Sequence, residues 1–129
     1  MNARYTVLAA AVAGFALGAI TLDQLHAQAK PPVYIVGEID MKNPDGYQND
    51  YSPKARAVIK DHGGRILAAG SNFVVLEGEP PKSRVVIQQW DSAEQYQKYR
   101  ASDAFTEVRK LGNQYATFRS YLMPGVPQP

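Results

Sequence analysis

Four segments of the chain carry the apolar pattern that is typical of β-strands. Residues 33–39, with the sequence VYIVGEI, form a run rich in β-branched residues that follows two prolines. The other predicted strands are residues 65–69 continuing as 73–77 after a bulge or turn at 70–72, residues 84–90, and residues 115–122. The pattern therefore predicts a sheet built from four strand regions.

Two segments between the strands repeat apolar residues every three or four positions, as an amphipathic helix does. The first begins with Asn43 as the cap and Pro44 in the first helical position, and it ends at Gly63 and Gly64. Pro53 lies inside it, so we expect a kink or two shorter helices. Its apolar face holds these side chains: Tyr47, Tyr51, Ala55, Val58, Ile59 and His62.

The second helical segment follows the third strand. Ser92 is placed as its N-cap, and Glu94 and Gln95 are placed for a capping box. Ser102 restarts the helix, and Gly112 marks its end. The elements thus follow the order β-α-β-β-α-β, which in one compact domain predicts an α+β, ferredoxin-like fold. Its four-stranded antiparallel sheet would have both helices on one face.

Alternate side chains of a strand point to opposite faces of a sheet, so parity separates a helix face from an open face. The helix face is predicted to contain Val33, Ile35, Ile39, Val85, Ile87, Phe118 and Leu122. The open face is predicted to contain Tyr34, Val36, Glu38, Val75, Glu77, Val86, Gln88, Trp90, Thr117, Arg119 and Tyr121. Left exposed, that open face would be an unusually large apolar patch, so we expect a second copy of the chain to cover it. The homodimer would enclose an inter-sheet cleft, in which Arg119 pairs with Glu38 or Glu77.

The first 29 residues have the pattern of a secretory signal peptide. Arg4 precedes an uncharged, alanine-rich run of fourteen residues at 7–20, and a small-x-small cleavage site ends at Ala29. The run is short for a membrane span, which needs about 20 residues. We therefore expect cleavage near Ala29 and a periplasmic or secreted protein, with a membrane anchor only if the segment is retained.

After cleavage the chain would consist of a linker at 30–32, a folded domain at 33–123 and a flexible tail at 124–129. Its composition then excludes several kinds of chemistry. The 129 residues include no cysteine, which excludes thiol nucleophiles, cysteine-ligated zinc and iron–sulfur clusters. His62 would be the one histidine left, so we predict no metal site and no haem or other cofactor. The net charge of +2 gives no reason to expect nucleic-acid binding.

Several segments resemble a known protein family in their order and spacing. They are GEIDMKNPDGY, DHGGRILAAG, VLEG, SRVVIQQWDSAE and YRASDAF. The most specific parts are Gly63-Gly64-Arg65, Glu77-Gly78 and the strand-to-helix step that ends in Ser92. The family is domain of unknown function 1330 (DUF1330), a member of the dimeric α/β-barrel group. The resemblance implies a ferredoxin-like protomer in a face-to-face dimeric α/β barrel, and it implies no particular reaction.

Side chains of the predicted cleft supply the candidate chemistry. The predicted ligand-binding residues are Tyr34, Glu38, Arg65, Trp90, Arg119 and Tyr121. Arginines hold carboxylates or phosphates, and aromatic rings stack on planar molecules. Glu38, Asp40 and Glu77 are candidates for a general base. The alternative for all of these residues is ion pairing, loop capping or packing without a ligand. We interpret the helix tyrosines, which are Tyr47, Tyr51, Tyr96 and Tyr99, as core residues.

Two hypotheses of function follow from these features. In the first, an exported dimeric protein binds a small planar or acidic organic molecule in the inter-sheet cleft and processes it without a metal or a cofactor. In the second, the protein is a non-catalytic binding or stress-related module of the cell envelope. The residues alone do not decide between an enzyme and a binding protein.

Overall fold

The computed structural model describes residues 30–129, and the predicted signal peptide lies outside these residues. The sheet consists of β1 (Val33–Met41), β2 (Arg65–Gly70), β3 (Arg84–Trp90) and β4 (Ala116–Pro124). Its strand order is β2-β3-β1-β4, and all neighbouring strands are antiparallel. This arrangement confirms the predicted ferredoxin-like α+β fold.

The helices lie in the two connections predicted from the periodicity. The first connection holds α1 (Pro44–Gly46), a π-helical turn (Tyr47–Tyr51) and α2 (Ser52–Asp61), and the second holds α3 (Ala93–Ala101) and α4 (Asp103–Asn113). The predicted interruption near Pro53 is thus a π-helical turn that precedes α2. Within residues 30–129 no helix has the length and apolar character needed to cross a membrane.

Side-chain caps locate the helix starts. Ser92 Oγ accepts a hydrogen bond from the backbone N–H of Gln95 at 3.1 Å, and Gln95 Oε1 accepts one from the N–H of Asp91 at 3.0 Å. Ser102 Oγ accepts from the N–H of Phe105 at 3.1 Å and so starts α4. These bonds satisfy N–H groups that have no partner inside the helix, which is why the chain turns helical at these serines.

The core lies between the helices and one face of the sheet, which we call the helix face. One buried cluster consists of Val33, Ile35, Ile59, Trp90, Tyr99 and Phe105. The other consists of Ile39, Tyr47, Tyr51, Ala55, Val108 and Ala116. The opposite face of the sheet is the open face, and no helix of the described chain covers it.

The predicted faces of β3 are wrong. Val33 pairs with Trp90, Ile35 with Gln88 and Ile39 with Arg84, and residues directly opposite each other share a face. Trp90, Gln88, Val86 and Arg84 therefore point to the helix face, while Val85 and Ile87 lie on the open face. The strand is apolar at both parities over residues 85–87, so its sequence pattern contained no signal for the register.

The predicted strand at 73–77 is also absent. The chain leaves β2 at Gly70, opposite Val85, and runs without strand pairing until β3 begins at Arg84. Residues 73–77 thus have β-type composition but no neighbouring strand within residues 30–129 with which to pair. Several apolar side chains of this 71–83 loop are exposed, including Val74 and Leu76 at 86% and 88%.

Candidate ligand-binding site

A cavity of about 70 Å³ lies between the sheet and the helices. Gly37, in the middle of β1, contributes to its sheet side and is flanked by Val86 and Ser120 on the neighbouring strands. A Cβ placed on Gly37 would meet only the carbonyl oxygen of Val86, at an ordinary contact distance of 3.7 Å. Packing therefore does not require glycine at this position, and the missing side chain leaves space in the core.

The amide of Gln88 also lines the cavity. Trp90 Nε1 donates a hydrogen bond to Gln88 Oε1 at 2.9 Å. This bond occupies the acceptor end of the amide, so the Nε2 end is the donor that remains. The buried Trp90 thereby holds a polar side chain at the cavity wall.

Four tyrosines line the cavity from the helix side, and three of them, Tyr47, Tyr51 and Tyr99, are buried. The rings of Tyr47 and Tyr51 lie 5.1 Å apart, and Tyr99 packs on Trp90 at 4.8 Å between ring centroids. Burial raises the pKa of all three phenols, and the adjacent guanidiniums of Arg84 and Arg109 partly oppose the rise for Tyr47 and Tyr51. At neutral pH these hydroxyls keep their protons and can donate hydrogen bonds. The tyrosines are therefore core residues, as interpreted from the sequence, and cavity residues as well.

Four arginines line the same cavity, and two of them, Arg84 and Arg109, lie against aromatic rings. The Arg109 guanidinium lies 4.0 Å from the ring centroid of Phe118 and 4.9 Å from that of Phe105. The Arg84 guanidinium lies 5.7 Å from the ring centroid of Tyr47. The Nε atoms of both arginines are buried and have no hydrogen-bond partner within residues 30–129. Among the described residues, no Asp or Glu lines this cavity.

Most of the residues predicted for the cleft lie on the open face. Glu38 and Arg119 are directly opposite each other on β1 and β4, and Arg119 Nε lies 3.3 Å from Glu38 Oε2. The Arg119 guanidinium also lies 5.8 Å from the Tyr121 ring centroid. Of the two predicted partners of Arg119, the structure thus selects Glu38.

The remaining predicted residues are more scattered. Tyr34 and Asp40 are on the same face of β1 as Glu38, and Asp40 forms an exposed ion pair with Lys42 at 2.9 Å. Arg65 lies opposite Gln89 at the start of the edge strand β2. Glu77 is exposed in the 71–83 loop and is not on the sheet, which corrects its predicted position.

Trp90 was predicted to line the cleft, but the structure places it elsewhere. Its side chain is 0% exposed and lies on the helix face, so it does not reach the open face. Gly64 makes this position accessible, because a Cβ at residue 64 would collide with the indole. Trp90 contributes to the cavity only indirectly, because its indole N–H binds the side chain of Gln88, which lines the cavity.

Histidine and carboxylate chemistry is sparse in this part of the chain. His62 caps the C-terminus of α2, with Nδ1 2.7 Å from the carbonyl oxygen of Val58. Among residues 30–129 no group of three or more histidines and carboxylates is placed to hold a metal ion.

Sequence reasoning did not find Gly37, Arg84 and Arg109 as site residues. One signal was present, because a glycine inside an apolar strand often marks a close approach of another group. The sequence contains no comparable signal for Arg84 and Arg109. Both side chains reach the same cavity only because of the register of β3 and the packing of α4.

A four-stranded sheet with a helix layer and a small polar cavity between the two defines the protein as a ferredoxin-like α+β domain. The family model for domain of unknown function DUF1330 matches residues 32–126, and the chain belongs to this family. No protein of curated function matches the chain.

Solved structures share this fold at low sequence identity. The RPA0582 protein of unknown function from Rhodopseudomonas palustris is 16% identical, with a TM-score of 0.62 over 84% of this chain and 93% of that chain. SnoaB from Streptomyces nogalater, described as a cofactor-independent oxygenase, is 15% identical, with a TM-score of 0.57 over 76% of this chain and 96% of that chain. An EthD family protein from Bacillus halodurans is 15% identical, with a TM-score of 0.52 over 70% of this chain and 96% of that chain. At these identities the likeness concerns the fold alone.

Proposed function

We propose that this DUF1330 protein binds a small organic molecule in the cavity between its sheet and its helices. The observation that carries the proposal is the unfilled space at Gly37, in a cavity whose mostly apolar wall also holds Gln88, tyrosine and arginine side chains. Small-molecule sites combine an apolar wall with a few fixed polar groups in this way. Of the residues predicted for the inter-sheet cleft, Trp90 is buried in the core, and Glu38 and Arg119 form an ion pair on the open face.

Binding without catalysis is the better supported role. A general base is needed for the cofactor-free chemistry considered from sequence, and it must reach the bound molecule. The titratable side chains that line the cavity are tyrosines and arginines, and the pKa is raised for the buried tyrosines Tyr47, Tyr51 and Tyr99. The carboxylates considered as bases, Glu38 and Asp40, lie on the opposite face of the sheet in ion pairs.

The assembly that we propose is a homodimer formed through the open face. A row of apolar side chains crosses this face at Val36, Ile87 and Tyr121, which are in register on adjacent strands. Next to it, an apolar groove runs between the sheet and Phe73 of the 71–83 loop. A second copy offers a surface of the same character, and mutual burial would remove both patches from water.

Export is part of the same proposal. Its support is the charged start, the apolar run at 7–20 and the cleavage site at Ala29 in the sequence. The test is a mass measurement of the protein purified from its native cells. We expect the mass of a chain that begins at Lys30. An intact N-terminus would contradict cleavage.

The cavity proposal is tested by native mass spectrometry of protein purified from its native cells under non-denaturing conditions. We expect the wild-type protein to carry a small molecule that is released on denaturation. Gly37→Leu should fill the cavity and abolish the extra mass. Gly70→Leu is the matched control, because a Cβ at Gly70 has nothing within 4 Å. An extra mass retained in Gly37→Leu, or absent from all three proteins, would contradict the cavity as the binding site.

A further inference from the structure

Two half-buried arginines line the cavity and have no ionic partner within residues 30–129. Arg84 reaches the cavity from β3 and Arg109 reaches it from α4, and the Nε atom of each is buried and unbonded within residues 30–129. The ion pairs found in this part of the chain involve other cations. Folded proteins leave few buried polar atoms unsatisfied, and each of these guanidiniums has one such atom although its side chain is partly exposed. These two side chains therefore call for an explanation beyond packing.

The surroundings of the two guanidiniums cannot neutralise them. Their polar neighbours Tyr47 and Tyr51 keep their phenol protons at neutral pH, because burial raises the pKa of each. Phe105 and Phe118 present apolar rings to Arg109. No carboxylate of the described chain lines the cavity. The cavity wall is therefore positively charged, which favours an anionic ligand.

We propose that the cavity binds the carboxylate of a small organic acid, with Arg84 and Arg109 as its anchors. This inference rests on the proposed function and names the chemical class of its ligand. A guanidinium presents N–H donors in a planar fork that matches the two oxygens of a carboxylate. The hydroxyls of Tyr47 and Tyr51 lie beside the two arginines and add neutral donors to the same site.

The volume of the cavity limits the size of this acid. At about 70 Å³ it is much smaller than a cavity of about 150 Å³, which accommodates one benzene molecule. A short-chain acid, or the acid end of a longer molecule, fits this space. The exposed Arg56 lines the same cavity and marks the side from which a longer molecule would extend.

The test compares three probes by their effect on the thermal unfolding midpoint of the purified protein at constant ionic strength. Propionate carries the carboxylate, propionamide has the same shape without the charge, and inorganic phosphate is a different oxyanion. Propionate at ten times its Kd should raise the midpoint by about 5 °C, and propionamide should leave it unchanged.

Two variants connect the effect to the proposed anchors. Arg84→Met and Arg109→Met should each weaken propionate binding at least tenfold. Their midpoints without propionate should fall by only a few degrees, since methionine keeps much of the side-chain volume and only the contacts of the guanidinium with the aromatic rings are lost. Lys110→Met is the matched control, because Lys110 is the neighbouring cation on α4 and its side chain is 68% exposed. This control should respond to propionate as the wild type does.

The other outcomes overturn the inference in distinguishable ways. If propionate and propionamide act equally and Gly37→Leu abolishes both effects, the cavity remains a binding site but its ligand is not an acid. A response to phosphate alone overturns the carboxylate class. Unfolding of either methionine variant shows that the arginine has a structural partner and also counts against the inference. If no probe acts on the wild type, the acid is refuted, whereas the co-purifying mass tests the proposed function independently.

Discussion

Gly64 and Trp90 are in direct contact where the chain leaves α2 and enters β2: a Cβ on Gly64 would come within 2.6 Å of Cε2 of the indole. The indole cannot move away, because it is fully buried and packs on Tyr99 and Tyr96 at 4.8 and 5.4 Å between ring centroids. The preceding glycine, Gly63, has a different role, since its φ of +89° is the left-handed conformation that commonly ends a helix. The two adjacent glycines thus serve the turn and the core separately.

Gly64→Ala should lower the free energy of unfolding by about 1–3 kcal/mol, because the added methyl group overpacks the core at Trp90 and Ile59. Urea unfolding measures this difference. Gly70→Ala is the control, since its Cβ has open space, and it should change the same quantity by less than about 0.5 kcal/mol. Equal effects of the two substitutions would contradict the contact.

Gly37→Ala should keep or raise stability, by up to about 1 kcal/mol. A glycine inside a strand is destabilising relative to alanine, and the new Cβ meets nothing closer than the Val86 carbonyl oxygen at 3.7 Å. The same unfolding measurement applies. A loss of more than about 1 kcal/mol would show that the space at Gly37 is needed for folding and is not available to a ligand.

Stability should fall with rising pH above about 10, partly through Tyr99. Burial raises the pKa of Tyr99 in the folded protein, so the unfolded chain loses this proton at a lower pH than the folded one. The stabilisation is fully present below the unfolded pKa and is lost as the pH rises through the folded pKa. Tyr99→Phe removes this contribution. Its unfolding free energy should therefore decline less steeply between about pH 10 and 12 than that of the wild type, and an unchanged slope would refute the assignment.

At acid pH, the stability of the protein depends in part on the ionisation of Asp50. Its hydrogen bonds with Lys54 Nζ at 2.9 Å and the Tyr115 hydroxyl at 2.8 Å lower the pKa of its carboxyl in the folded state. The resulting stabilisation is present above the unfolded pKa of about 4 and is lost as the pH falls through the folded pKa. Asp50→Asn should flatten the acid limb of a stability-against-pH curve. Glu79→Gln, at an exposed position of the 71–83 loop, is the control.

The proposed homodimer predicts that a charge on the 71–83 loop will dissociate it. Leu76 is 88% exposed in the protomer, and burying an introduced carboxylate against a second copy would be costly. Sedimentation equilibrium at micromolar concentration should give a dimer for the wild type and a monomer for Leu76→Glu. Val126→Glu, in the tail at 75% exposure, should remain dimeric. A monomeric wild type would refute the assembly.

Local sequence signals located the secondary structure well. Ser92 and Ser102 start helices because their hydroxyls accept hydrogen bonds from N–H groups three residues later, a contact that depends only on neighbouring residues. Gly63 ends α2 for an equally local reason. The apolar run rich in β-branched residues at 33–39 identified β1 in the same way, and the order of these elements was sufficient for the fold.

The sequence by itself determined where helices and strands lie and the order that makes a ferredoxin-like sheet. The tertiary structure decided which face of β3 meets the helices, because Val85, Val86 and Ile87 suit either face and only pairing with β1 separates them. It also left residues 73–77 without a strand partner in the described chain. Arg84 and Arg109 lie far apart in the chain and meet at one cavity only through long-range packing. Periodicity reports local geometry, whereas register and cavities depend on contacts between distant segments.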